Sequence, residues 1–331
     1  MHSQAEDDWL KGKRQRQLFF TSAGAHASAL LLSKLASAPF ERAKICLQVS
    51  QYTCAEGRSP MHLKKFVHEV HLHQGWKALW RGTGAHISAI TVGALARLSL
   101  LRTSQMWMMP GRDKPYSKME AYTHRCGFLL AAGSVAVTIS YPFDLAYTNL
   151  AADMSKRRRF KHMFVFFNHV RKQHGLLHIY RGLPLCLVSA FPFVAIATAV
   201  HDLAGPALLQ DTPRPLKVEE VQDLHRNLDG FVYKPVMHHY PYNLILGAVA
   251  GLTAQSVTYP LDTWRRRWQY TCSEAAATAP RSVMETFRVL WVQGGWRAFY
   301  AGYWTNVAKL VPELSVLCGV YFAINASERI D

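Results

Sequence analysis

Residues 37–44 read Ser-Ala-Pro-Phe-Glu-Arg-Ala-Lys, a proline followed by an acid two residues later and by a base three residues after that. The pattern returns as Ser-Tyr-Pro-Phe-Asp-Leu-Ala-Tyr at residues 140–147 and as Thr-Tyr-Pro-Leu-Asp-Thr-Trp-Arg at residues 258–265. The second copy ends in Tyr147, where the other two copies end in a base. One match would be weak evidence, but a pattern that recurs about every 100 residues predicts a chain built from three repeats of one unit.

A glycine-bounded pattern follows each proline motif at nearly the same distance. Its copies occupy residues 75–82, 175–182 and 295–302, and each copy ends in an aromatic residue, one further residue and a glycine. Two linked patterns that recur in the same order are hard to obtain by chance, which supports the three repeats. We predict repeats at residues 18–110, 118–204 and 241–328, a tail at residues 1–17 and a long polar loop at residues 205–240.

Six long apolar stretches surround these motifs, at residues 18–46, 84–108, 121–150, 183–204, 241–268 and 303–325. Each stretch is close to the length of about 20 residues that a helix needs to cross a bilayer. Isolated charges such as Lys34, Arg97 and Lys309 interrupt them, and a charge deep in a membrane costs about 2.5–3.5 kcal/mol unless it faces protein or water. The sequence therefore predicts an all-α membrane protein with six transmembrane helices in three pseudo-symmetric repeats around a central cavity.

Composition weighs against several other classes of protein. A soluble helical array could use the prolines to end its helices, but the apolar stretches are as long as a bilayer is thick. The formal charge of +16 is spread along the 331 residues and no nucleic-acid module is visible, so we predict no nucleic-acid partner. Six scattered cysteines predict no metal site. Because no nucleophile-base pair or phosphate-cradling loop is found, we predict no catalytic residues and no enzymatic activity.

The linked motifs resemble those of the mitochondrial carrier family, and the resemblance covers nearly all of residues 18–325. It implies a short matrix helix within each repeat, a multi-pass location in the mitochondrial inner membrane, and transport by alternating access. It also implies a functional monomer without a cofactor. Gly82, Gly182 and Gly302 begin the second transmembrane helix of each repeat. There the resemblance implies bound anionic lipid such as cardiolipin, since helix N-termini commonly bind phosphate.

The family closes its matrix gate with ion pairs between the acid of one proline motif and the base of the next. The resemblance implies three pairings here: Asp144 with Arg265, Asp262 with Lys44, and Glu41 with Tyr147. A tyrosine hydroxyl can donate one hydrogen bond but supplies no charge. We therefore expect a matrix gate weaker than one with three ion pairs. The outer gate is also expected to be incomplete. Its positions near the end of the second transmembrane helix of each repeat contain only one acid, Asp202, among Leu101-Arg102, His201-Asp202 and Tyr321-Phe322.

Within the family, the chain most resembles ADP/ATP carriers, through Ser33-Lys34 and the three arginines at residues 265–267. By position, this resemblance implies the following substrate contacts: Lys34, Arg97, Ser189, Ala190, Phe193, Arg266 and Lys309. The cations suit a polyphosphate, because Lys and Arg form charge-assisted hydrogen bonds with phosphate oxygens. Ser189, Ala190 and Phe193 replace the residues of the adenine pocket, and Ala89 replaces a phosphate-binding arginine.

Three functions are compatible with this pattern. The leading prediction is exchange of ADP and ATP across the mitochondrial inner membrane, with an adenine nucleotide or another small anion as substrate and membrane lipid as the surrounding partner. The changes at Ala89, Ser189 and Ala190 suggest a carrier for another nucleotide-like or phosphorylated metabolite. The incomplete gates suggest, as a third alternative, a degenerate carrier with a structural or interaction role.

Overall fold

The computed structural model describes residues 28–49, 63–108, 118–155, 159–208, 240–271, 280 and 282–328. These residues form helices and turns without a strand, which confirms the all-α prediction. The predicted tail at residues 1–17 and residues 209–239 of the predicted loop lie outside the described residues. Residues 205–208 of the predicted loop belong instead to the helix that ends at Leu208.

The helices are numbered α1 to α10 in chain order. The first half of the chain contains α1 at residues 28–49, α2 at Leu63–Gln74, α3 at Thr83–Met108 and α4 at Lys118–Ala152. The second half contains α5 at Met163–His174, α6 at Leu183–Leu208, α7 at Tyr240–Tyr270, α8 at Val283–Phe299, α9 at Tyr303–Ala308 and α10 at Leu310–Glu328. Short 3-10 helices at Trp76–Trp80 and Leu176–Tyr180 follow α2 and α5.

Each repeat uses the same order of elements: a long helix with the proline motif, a short helix, a glycine, a tight turn, a second glycine and another helix. The long helices α4 and α7 continue through Pro142 and Pro260. In the third repeat, Gly295 has φ 55° and ψ −143°, so α8 is two helical segments that meet at a kink. The three repeats therefore have the same architecture, with a short helix inside each repeat.

The second glycine of each pattern lets one repeat pack closely against the next. A side chain at Gly82 would place its Cβ 3.2 Å from the backbone N of Ala151 on α4, and one at Gly302 would place it 3.1 Å from the carbonyl oxygen of Lys44 on α1. Both glycines have positive φ, a conformation that other residues adopt only with strain. Gly182 makes the equivalent close approach to Trp268 on α7. The first repeat thus packs on the second, the second on the third, and the third on the first.

The chain divides into two compact units. The larger unit comprises residues 37–200 and 250–310 and contains the three glycine contacts. Its main apolar cluster includes Ile45, Leu145, Phe166 and Val170, all of which are essentially inaccessible to solvent. The smaller unit comprises residues 1–36, 201–249 and 311–331, of which the structure describes residues 28–36, 201–208, 240–249 and 311–328.

Several helices have the properties of membrane-spanning segments. Within the described residues, three helical segments are long and apolar enough to cross a bilayer: Cys126–Ala152, Leu176–His201 and Leu244–Tyr270. Large apolar side chains such as Leu177, Val292 and Trp304 are at least 80% exposed. Exposed apolar surface of this kind is expected where a helix meets lipid rather than water.

Candidate functional site

The acids of the three proline motifs all form ion pairs inside the larger unit, and Arg265 joins two of the acids into one network. Asp144 of α4 forms ion pairs with two arginines of α7. Its carboxylate lies 3.0 Å from Arg266 Nη1 and 3.4 Å from Arg265 Nη1. Gln269 Nε2 donates a further hydrogen bond of 3.1 Å to the same carboxylate. The pairing of Asp144 with Arg265 that the resemblance implied is therefore present, and Arg266 strengthens it.

Asp262 of α7 occupies the equivalent place in the third repeat. Its carboxylate lies 3.1 Å from Lys44 Nζ on α1 and 2.8 Å from Arg265 Nη2, which is one turn away on the same helix. Gln48 Nε2 donates a hydrogen bond of 3.3 Å to it. The implied pairing of Asp262 with Lys44 is thus also present, and Arg265 connects the second pair to the first.

Glu41 has a different partner from the one that its motif implied. Its carboxylate lies 2.7 Å from Nζ of Lys309, a residue between α9 and α10 that we predicted as a substrate contact. Tyr147, the residue at the motif position, is buried with its ring 4.3 Å from that of His86 and 5.9 Å from the guanidinium carbon of Arg266. The resemblance implied position 147 as the partner of Glu41, but a base from the third repeat forms the ion pair with this acid instead.

Two buried glutamines support this network, and sequence reasoning missed both. Gln48 and Gln269 occupy the same offset from Pro39 and Pro260, and each is completely buried. Gln269 also accepts a hydrogen bond of 2.8 Å from Thr148. Their matching positions in two repeats are a signal that the sequence contains, although glutamine is too common a residue for that signal to be specific.

The three consecutive arginines have two different sets of partners. Arg265 bridges two acids of the network, while Arg266 bonds Asp144 and Thr148. Arg267 is fully buried and donates to the carbonyl oxygen of Gln48 at 2.8 Å and to Gln293 Oε1 at 3.1 Å. The first two arginines thus belong to the network, and the third holds α7 against α1 and α8.

A second buried polar cluster joins the first repeat to the second. Arg81 forms an ion pair with Asp153, and both side chains are 5% exposed. Arg42 donates to the carbonyl oxygens of Ala151 and Asp153 at 3.1 and 3.0 Å and to Gln74 Oε1 at 2.8 Å. Because a buried charge is tolerated only when it is paired and hydrogen-bonded, this cluster fixes the short helix α2 to the end of α4.

The other predicted substrate contacts occupy separate places. In the smaller unit, Lys34 forms an ion pair of 2.6 Å with Glu313. In the larger unit, Arg97 is exposed on α3, and Ser189 donates a 2.8 Å hydrogen bond to the carbonyl oxygen of Cys186 within α6. Ala190 is half-buried and Phe193 is 38% exposed on the same helix. Their roles in binding stay predictions.

Gly82 lines a cleft of about 410 Å³ at the start of α3. Ser88 lies on the α3 side, and Lys161, His162 and Phe164 lie on the side of α5. Gly182 and Gly302 occupy the equivalent starts of α6 and α9. The cleft combines backbone N–H groups of a helix start with a lysine, which is a suitable environment for an anion.

The predicted outer gate falls largely outside the part of the chain whose side chains the structure describes. The side chains of Arg102, Asp202 and Tyr321 belong to that undescribed set. His201 and Phe322, which neighbour two of them, are described as half-buried and 62% exposed, respectively.

Comparison with known proteins supports the resemblance found in the sequence. The family model described as "Mitochondrial carrier protein" matches residues 16–111, 121–211 and 237–327. The mitochondrial coenzyme A transporter SLC25A42 of Homo sapiens is 26% identical over 93% of this chain and 89% of its own length. The mitochondrial carrier protein CoAc2 of Zea mays is 26% identical over 90% and 84%, and the uncharacterized mitochondrial carrier YPR011C of Saccharomyces cerevisiae is 26% identical over 93% and 91%. None of these three similar proteins is named for ADP or ATP.

Proposed function

The chain belongs to the mitochondrial carrier family, and on that premise we propose that it transports coenzyme A or a closely related phosphate-bearing nucleotide. Membership makes it a multi-pass protein of the mitochondrial inner membrane that carries a small solute and is not an enzyme. Alternating access across that membrane, without covalent chemistry, is the mechanism that we infer for it.

One observation carries the choice of substrate class. The similar human protein aligns with 93% of this chain and is named a coenzyme A transporter. Coenzyme A contains an adenine nucleotide with several phosphate groups and a long flexible arm. By the resemblance to ADP/ATP carriers, Ala89 stands in place of an arginine and Ala190 in place of an isoleucine, and both smaller side chains are consistent with a substrate bulkier than ADP.

The cations of the chain support an anionic substrate. Among the described residues, four bases form ion pairs with the three motif acids: Lys44, Arg265, Arg266 and Lys309. That excess of positive charge favours phosphate over a neutral or cationic solute, because charge-assisted hydrogen bonds are the strongest class. We propose Lys34, Arg266 and Lys309 as phosphate contacts, with Arg97 as a further cation. Ser189, Ala190 and Phe193 are the proposed contacts of the adenine base.

ADP/ATP exchange remains a second candidate. The triple arginine at residues 265–267 and the Ser33-Lys34 pair favour it, because they are the features by which the chain resembles ADP/ATP carriers. ADP and coenzyme A share the adenine nucleotide, so the same cations could serve either substrate. The difference between them lies in the arm that coenzyme A carries beyond its phosphates.

The test is uptake of labelled coenzyme A and labelled ADP by proteoliposomes that contain the purified full chain. We expect faster uptake of coenzyme A, and stimulation by unlabelled nucleotide inside the vesicles if transport is exchange. Lys34→Gln should reduce uptake, while Lys64→Gln, at an exposed lysine of α2, should leave it unchanged. Faster uptake of ADP would favour the second candidate. Folded protein that takes up neither substrate would overturn both and favour a role other than nucleotide transport.

We also propose that the cleft at Gly82 binds the phosphate of an anionic lipid such as cardiolipin. The lysine at its edge, Lys161, supplies the charge, and Gly182 and Gly302 provide equivalent helix starts. Cardiolipin should raise the unfolding temperature of the purified protein more than neutral lipid does. Lys161→Gln should reduce this difference, and an equal effect of both lipids would contradict the proposal.

A further inference from the structure

We propose that Lys309 supplies the matrix gate with the cation that pairs with Glu41, and that it replaces the base missing at Tyr147. The residue predicted to hold a substrate phosphate would then also hold the gate closed. This inference rests on the proposed function only in requiring that the substrate is an anion. It concerns this chain specifically, because it follows from the tyrosine at the motif position of the second repeat.

The ion pair of Glu41 with Lys309 has the geometry of the other motif ion pairs. Lys309 Nζ lies 2.7 Å from Glu41 Oε1, and the two side chains are 13% and 10% exposed. The other two motif acids, Asp144 and Asp262, lie at comparable distances from bases. Glu41 therefore takes part in the same kind of contact as its two counterparts, although its partner comes from outside the motif.

Lys309 comes from a different repeat than the base that it replaces. A base at residue 147 would come from α4 and would join the first repeat to the second. Lys309 comes from the junction of α9 and α10 and joins the first repeat to the third. The Asp262–Lys44 pair already makes that connection, so two of the ion pairs now link the same two repeats. Between the first and second repeats, the Arg81–Asp153 pair is an ion pair outside the proline motifs.

A substrate phosphate and the Glu41 carboxylate would compete for the ammonium of Lys309. A phosphate that captures this ammonium must compete with Glu41, because both anions seek the same three N–H donors. If the phosphate wins, the nearly buried carboxylate of Glu41 loses the cation that lies 2.7 Å from it, and weaker compensation of a buried charge disfavours the conformation that holds it. A ligand shifts a conformational equilibrium only by its differential affinity for the two states. Capture of Lys309 supplies that difference, because it destabilises the closed gate and not the open one.

The chain contains a native reporter for the closed gate. Cys186 lies with its Sγ 2.8 Å from Arg265 Nη1 and is half-buried. When the network opens, this thiol should react faster with a water-soluble maleimide. The reporter chain keeps Cys186 and has its other cysteines replaced, and Cys186→Ser in that background gives the labelling blank.

The decisive experiment is a rescue. Lys309→Met removes the charge and keeps most of the side-chain volume, so we expect faster labelling of Cys186, a lower unfolding temperature and loss of uptake. Adding Tyr147→Lys restores a base at the motif position, and it should bring labelling and unfolding temperature back towards the parent values without restoring uptake. Lys309→Arg keeps the charge and should preserve slow labelling.

The outcomes separate this inference from the proposed substrate. If Lys309→Met leaves labelling and stability at the parent values, or if Tyr147→Lys fails to rescue them while Lys309→Arg remains folded, Lys309 is not a gate residue. A parent chain that transports neither coenzyme A nor ADP, yet shows the rescue, would refute the proposed substrates and support the gate role. A charge exchange, Glu41→Lys with Lys309→Glu, provides an independent variant: it should be more stable than either single change.

Discussion

Lys34 and Glu313 form an ion pair of 2.6 Å between α1 and α10, with side chains 24% and 12% exposed. The cation that the resemblance assigns to the substrate is therefore already opposed by an acid of this chain. Glu313 was not among the residues that sequence reasoning selected, because neither repeated motif contains it.

Replacing Glu313 with glutamine should increase the apparent affinity for a phosphate-bearing substrate. The change removes a carboxylate that competes with phosphate for Lys34 and keeps the size of the side chain. We expect KM for the transported nucleotide to fall several-fold while the unfolding temperature decreases slightly. Initial rates in proteoliposomes over a range of substrate concentrations measure this, and Glu285→Gln at the exposed start of α8 is the control. An increased KM would show that Glu313 positions Lys34 for binding instead.

Replacing Asp144 with asparagine should destabilise the protein markedly. The substitution leaves Arg265 and Arg266 facing a neutral group in a largely buried network. Breaking one side of a buried ion pair typically costs about 3–5 kcal/mol, and the remaining acids of the network should reduce that cost. Thermal unfolding of the purified protein measures the effect. If stability were unchanged, the ion pairs would contribute little to this conformation.

The second and third arginines of the triplet should respond differently to lysine. Arg267→Lys removes the planar fork that bonds Gln48 and Gln293, so it should cost about 1–3 kcal/mol and leave KM near the parent value. Arg266→Lys should change KM more than stability, because a lysine can still pair with Asp144 as a point charge. Unfolding temperature and KM, both measured for each variant, test the distinction. It fails if the two variants behave alike.

Gly302→Ala should destabilise the packing of the third repeat on the first. Gly302 has φ 78°, and an added Cβ would lie 3.1 Å from the carbonyl oxygen of Lys44. Left-handed strain and this contact together should cost about 1–3 kcal/mol. Gly251→Ala is the matched control, because this helical glycine has no atom within 4 Å of an added Cβ. Unfolding curves of the two variants should separate clearly, and a Gly302→Ala curve like the control would contradict the packing argument.

The repeats were readable from the sequence because each contains two motifs at fixed spacing, and spacing also determines which helix contains each motif residue. This is why the pairing of Asp262 with Lys44 and that of Asp144 with Arg265 could be stated in advance. The partners of Glu41 and Lys34 could not, since both come from positions without a repeated pattern. A lysine has a long flexible stem, so the sequence alone does not determine which of several acids it reaches.

The glycines at the starts of α3, α6 and α9 have a consequence for the evolution and engineering of the chain. Open arrays of repeats possess end pieces with only one neighbour, which is why such arrays can gain or lose units. Here Gly82 packs against α4, Gly182 against α7 and Gly302 against α1, so each of the three repeats has two neighbours. Deleting any one repeat would remove two of the three glycine contacts at once. A fourth repeat would have to break one of these contacts in order to fit. The number of repeats is therefore fixed by the closure of these three contacts.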